Sequence, residues 1–162
     1  MQSSTTKKVV VRRFDRESIP AFVNLGNFIQ SEFVEILLVS GSTQQVPHRE
    51  IKSIAFVKDF DPPRGQTEQK TFNSRPKIEG LWVRMRFRDG ELYEGLLANN
   101  LAQVESAGFY VTPPNSSANV HRLFVPRAAL DEMLVLAVVG GKSAKQKPST
   151  KQGQIELFGD GG

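Results

Sequence analysis

Two histidines, His48 and His121, are the chain's only imidazoles, and it has no cysteine. Imidazole trades protons near neutral pH, and thiolates serve as nucleophiles and soft metal ligands, so this inventory bounds the available chemistry. Catalysis also needs such groups to converge with a partner that stabilises charge. His48 falls in a turn and His121 in a strand ahead of a turn, so the two are not symmetric members of one site, and both read as surface residues. No His, Cys and Asp spacing suits zinc, and no calcium loop occurs, so neither a metal nor a cofactor is expected. The region around Gly26 lacks the glycine run of a phosphate loop, and Gly140, Gly141 and Lys142 follow the wrong spacing for one. The chain therefore reads as a non-enzyme.

Binding chemistry is better represented. Trp82, Arg84, Arg86 and Arg88 alternate with Leu81, Val83, Met85 and Phe87, the period of two that marks a half-buried strand. Indole and guanidinium groups on one face stack on bases and grip phosphates, which makes this row, with Tyr93 from the next strand, a candidate nucleic-acid surface. The plainer explanation is a solvated outer face, with Glu91 neutralising Arg88 and Trp82 buried between two folded units. Asp89-Gly90 predicts a two-residue hairpin loop after Arg88. In that register Arg88 faces Glu91 and Arg86 faces Tyr93 outside, Phe87 faces Leu92 inside, Glu94 points inward beside Met85, and Gly95 is a natural bulge position.

The elements that carry this row come in two copies. "VPHREIKSIAFV" (46–57) aligns without a gap with "VPRAALDEMLVL" (125–136), pairing Ile54 with Met133, Phe56 with Val135 and Val57 with Leu136. Upstream, 9–23 aligns with 82–97 once one residue is allowed in the turn, pairing Phe14 with Phe87 and Ala21 with Gly95. Further strands are expected at 33–39, 108–112 and 121–125, with one turn of 3₁₀ helix after Pro126 and a last strand from Leu130 to Val138. This order predicts an all-β protein of two tandem SH3-like or Sm-like barrels, closed to remove their edges. The expected divisions are a disordered stretch at 1–7, a first barrel at 8–58, a linker at 59–79, a second barrel at 80–139 and a flexible tail at 140–162. One continuous sheet shared by both halves is the alternative.

A chain of 162 residues, 39% hydrophobic and 23% charged, suits such a core. The opening residues carry no signal-like apolar stretch and nothing is long enough to span a bilayer, so no membrane contact and a cytoplasmic location are expected. The net charge is +4, of which four lysines against Glu156 and Asp160 place +2 in the tail. The rest is nearly balanced, which argues against a strongly basic surface.

"GLWVRMRFRDGELYEGLL", "GFYVTPP" and "RLFVPRAAL" together resemble a bacterial family of unknown function with a duplicated small barrel and a basic tail. The resemblance covers 8–139 and implies no activity. Arg12, Arg13 and Arg16 invite comparison with the PilZ type of cyclic-dinucleotide receptor, but its companion turn of Asp or Asn, Ser and Gly is missing. After Gly140 the chain has no apolar residue larger than Ala144 until "QIELF" (154–158), and reads as a tether. Gln154, Ile155, Leu157 and Phe158 resemble the pentapeptide by which bacterial polymerases and repair proteins dock on the replicative sliding clamp. Such a segment can equally pack back on its own domain or add a strand to a sheet edge. The expected function is thus a non-catalytic adaptor with a sliding clamp as protein partner, or alternatively a nucleic-acid-binding protein using the basic row.

Overall fold

The computed structural model describes residues 5–15, 17–65, 67–98 and 107–140. They form ten strands: β1 (Thr6–Arg13), β2 (Ser18–Asn24), β3 (Phe33–Leu38), β4 (Thr43–Pro47), β5 (Ile51–Val57), β6 (Gly80–Phe87), β7 (Leu92–Leu97), β8 (Gly108–Val111), β9 (Val120–Pro126) and β10 (Leu130–Val139). A 3₁₀ turn at His48–Glu50 leads into β5, and another at Arg127–Ala129 leads into β10. Each follows a proline, Pro47 or Pro126, whose fixed φ starts the turn. β1 starts at Thr6, so the expected disordered stretch at 1–7 yields two residues to a strand paired with β2.

Strand pairing departs from two closed barrels. β4-β3-β2-β1-β5-β9-β8 form one open seven-stranded sheet, and β10-β6-β7 a separate open sheet of three. The seven-stranded sheet thus takes strands from both halves, as in the shared-sheet alternative. A bridge between Leu96 and Thr112 ties the second sheet to β8, with N–H···O distances of 2.9 Å in both directions.

Residue chemistry explains why β5 and β9 can hold this central place. Ile54 and Phe56 of β5 and Phe124 of β9 pack in one core with Val9, Val11, Phe28 and Ile36. Ala55, Val57 and Leu123 turn the other way, into a second core with Val83, Met85, Phe87, Tyr93 and Val111. The two strands are therefore a wall between cores, apolar on both faces, and their sequences read as runs rather than alternations. Phe28, Phe56, Tyr110 and Phe124 stack across this seam at centroid distances of 5.2 to 6.3 Å.

The β6–β7 hairpin corrects a second expectation. Its loop holds three residues: Phe87 N–H donates to Glu91 O at 2.9 Å, Gly90 N–H to Phe87 O at 2.8 Å, and Gly90 sits at φ 91°. That is a type I turn closed by a glycine bulge, one residue longer than the two-residue loop that Asp-Gly first suggests. Slipping the register by one turns every return-strand side chain over. Met85 now pairs with Tyr93 and Arg84 with Glu94, so Tyr93 is 3% exposed in the core and Glu94 lies outside. Gly95 occupies no bulge: a Cβ there would stand 2.2 Å from Val111 Cγ1, so glycine lets β8 cross closely.

The β1–β2 hairpin is built alike. Arg13 N–H donates to Glu17 O at 2.9 Å, and Asp15 Oδ1 accepts from Glu17 N–H at 2.9 Å, as Asp89 Oδ1 accepts from Glu91 N–H at 3.1 Å. The loops have equal length, so the copies align through the turn without the extra residue. Phe14 then corresponds to Arg88, not to Phe87.

Candidate functional site

The row of Trp82, Arg84, Arg86, Arg88 and Tyr93 is only partly assembled. Trp82 Nε1 donates to Glu94 Oε1 at 3.2 Å, and Phe72 of the 59–79 segment packs edge-on against the indole at 5.9 Å. The ring is thus half-buried, with Phe72 of this segment against it. Arg86 faces Glu132 at 3.4 Å, in the open. Arg88 belongs to the turn: its guanidinium lies 4.1 Å from the Phe14 ring centroid and donates to Arg49 O at 2.6 Å. It bridges the two halves instead of joining Arg84 and Arg86, and Glu91, its expected neutraliser, pairs elsewhere. Tyr93 lies on the other side of the sheet altogether. Gln154, Ile155, Leu157 and Phe158 lie outside the described residues, as does Arg16.

One concavity among the described residues is not revealed by the linear pattern. A cleft of about 620 Å³ opens where β1 and β5 meet the β6–β7 hairpin, with Glu68 and Lys70 of the 59–79 segment at its wall. Its charges form three paired groups. Arg12 meets Glu68 at 2.8 Å, and the Tyr93 hydroxyl donates to the same carboxylate. Lys52 meets Asp89 at 2.7 Å and Glu91 at 2.5 Å, and Lys70 holds the other oxygen of Glu91. Arg13 meets Glu50 at 2.9 Å, with Glu17 and Asp15 further out.

These pairings set the electrostatics. Burial works against the Lys52 ammonium, yet the hydrogen bonds to Asp89 and Glu91 outweigh it and raise its pKa. The hydrogen bond from Lys52 lowers Asp89. Burial resists ionisation of Glu91, but its lysine partners prevail and lower it too. Burial first, then the charge of Glu68, drives the Tyr93 phenol far above its ordinary value, so it stays protonated and donates. The cleft therefore holds neutralised ion pairs and a locked phenol. An incoming anion would have to displace a carboxylate already bonded to the cation it sought.

Two serines, Ser18 and Ser53, line the cleft among the described residues. Ser53 is buried in the cleft, but both imidazoles lie elsewhere. His48 binds Gln30 O through Nε2 at 2.7 Å, which makes Nε2 the protonated nitrogen, while Nδ1 is buried without a partner. His121, on β9, is lowered by burial and then by the charges of Lys58, Arg122 and Lys7. Among the described residues no three His, Asp or Glu side chains cluster as metal ligands, and no helix is long and apolar enough to cross a membrane.

What the cleft does is join. Its ion pairs link β1 to the 59–79 segment through Arg12 and Glu68, and β5 to the second hairpin through Lys52, Asp89 and Glu91. The described residues thus form an all-β protein in which strands from both halves of the chain share one sheet and paired charges join those halves at their meeting line. The chain belongs to DUF6982, a family of unknown function, which matches residues 5–137. No curated protein and no solved structure matches it.

Proposed function

We propose that this protein is a non-catalytic binding module, with halves of SH3-like or Sm-like descent, that docks through its C-terminal segment on a bacterial sliding clamp. One observation carries this reading: the string Gln154, Ile155, Glu156, Leu157, Phe158 closes a Gly-, Ser- and Lys-rich stretch that cannot build a core. Leu157 and Phe158 would fill an apolar pocket, Ile155 a lesser contact, and the Gln154 amide would orient the peptide. β10 stops at Val139, and Gly140 follows at φ 71° beside Glu79, so the string is separated in sequence from the last described strand by 141–153. From Gly140 to Gln154 the chain extends at most about 50 Å. Anchoring by so few apolar groups gives affinity of about micromolar strength, raised where a ring-shaped clamp offers several sites. A cytoplasmic location belongs with this reading.

The test is retention of the full chain on immobilised, purified sliding clamp. Replacing Leu157 and Phe158 by Ala abolishes retention if the reading is right. No retention of the native chain, or equal retention of the variant, overturns it. A second reading keeps Arg84 and Arg86 as a small nucleic-acid contact, because Arg84 has no ion-pair partner among the described residues. It requires single-stranded DNA or RNA affinity that falls steeply with salt and further on Arg86→Ala.

A further inference from the structure

Across the seam and the bridge, the strands run β4-β3-β2-β1-β5, then β9-β8-β7-β6-β10. Both halves thus lay their strands in one order, fourth, third, second, first, fifth, and the fifth strand of the first half pairs with the fourth of the second. Two edges remain without a strand partner among the described residues: β4 at one end and β10 at the other.

β10 is built like an interior strand. From Met133 to Val139 it carries no charge and no alternation, the pattern that β5 shows between two cores. In β5, Phe56 is 3% exposed; its counterpart Val135 is 57% exposed, and Val138 is 60% exposed. Long apolar edges of this kind associate unless something covers them. At the opposite edge Leu37 and Val39 are also exposed, Leu37 in register with Thr43 of β4.

We propose that β10 of one copy pairs antiparallel with β4 of a second copy, repeating the β5·β9 seam head to tail. Ile54 faces Phe124, Ala55 faces Leu123 and Phe56 faces Arg122 within the chain. Carried over by the repeat, Met133 faces Gln45, Leu134 faces Gln44 and Val135 faces Thr43 of the second copy. Leu37 and Val135 then flank Thr43 on the same face of the joined sheet. Gln44 and Gln45 stand where β9 has Leu123 and Phe124, so this seam lacks the aromatic filling of the internal one and forms in a concentration-dependent way. Because the two surfaces differ, the contact either closes into a ring or continues as a filament.

Sedimentation velocity on the full chain tests this. The native protein forms species at multiples of the chain mass as concentration rises. Thr43→Glu and Val135→Glu, both at exposed positions and checked for folding by circular dichroism, each bring the mass back to one chain. Mixed in equal amounts they form a dimer, because one keeps its β10 and the other its β4. A native chain that stays monomeric at every concentration overturns the proposal. So does a Thr43→Glu variant that still dimerises, since that result means β10 pairs with β10. Should either glutamate variant fail to fold, Thr43→Lys with Val135→Lys replaces the pair, with the same outcomes.

Discussion

Replacing Phe124 by Ala separates a shared sheet from two independent units. The ring is fully buried on β9, 6.2 Å from Phe28 of the first half and 5.2 Å from Tyr110 of the second. Removing a buried phenyl costs about 3–5 kcal/mol, out of a total stability of about 5–15 kcal/mol for a domain. With a urea m-value of about 2 kcal/mol/M, the midpoint falls by roughly 2 M. Trp82 is the only tryptophan and sits in the three-stranded sheet, so its fluorescence reports β6, β7 and β10. Amide exchange of Val9, Val11 and Ala21 reports β1 and β2, the first-half strands of the other sheet. Since β5 and β9 each face both cores, both probes should shift together through one transition. A two-step transition in which the first-half amides keep their native midpoint would refute the shared wall.

Other perturbations have equally definite outcomes. Gly95→Val drives side-chain atoms into Val111 Cγ1 and Thr112 O, and lowers stability by about 1–3 kcal/mol or more in urea unfolding; a neutral result would mean that β8 does not cross there. Tyr93→Phe removes the donor to Glu68 but leaves Arg12 in place, so the loss is about 1.5–3 kcal/mol, with no change of fold by circular dichroism. Asp89 and Glu91 are lowered in the folded state, so their contribution is present above the ordinary carboxylate pKa and fades as pH falls through the folded values. Lys52 is raised, and its contribution fades only as pH climbs above its ordinary value of 10.5. Lys52→Met should therefore flatten the acid limb of midpoint against pH below about pH 5, and an unchanged acid limb would contradict the pairing.

The strand order and the proline-led 3₁₀ turns were legible because they rest on local chemistry. Period two, Pro47, Pro126 and the Asp-Gly turn each act within a few residues. Sheet membership was hard to read, because it depends on which strand β5 finds, and that partner lies more than sixty residues away on β9. The continuous apolar run from Ile54 to Val57 was the missed signal: a strand buried on both faces belongs between two cores, not in the wall of one small barrel. The face of Tyr93 was lost to a single residue of loop length, since Asp89-Gly90 serves a two-residue loop and a three-residue loop alike. Glu68 and Lys70 lie in a stretch with no periodicity, and their partners Arg12 and Glu91 are remote in sequence, so nothing local marked the cleft.

The two edge strands, β4 and β10, differ in their chemistry. Two like halves meet through unlike surfaces, fifth strand to fourth, and such a contact always leaves one of each surface behind. Natural sheets blunt a permanent edge with short strands, charge or proline. β4 meets that description in part, being five residues long, rich in polar side chains and ended by Pro47. β10 does not: it is ten residues long, and its two acids, Asp131 and Glu132, sit at one end, leaving Met133 to Val139 uncharged. An edge left so apolar fits a strand that is covered when the protein works. The proposed docking string, 154–158, follows it in sequence, so a chain joined at β10 and β4 would carry one string per copy. Linked copies bind a many-sited ring far more tightly than single ones, by raising the local concentration of the second string after the first has bound. Clamp retention that weakens on Val135→Glu while the 154–158 string is intact would tie the two proposals together; retention indifferent to Val135→Glu would leave assembly and docking as separate properties.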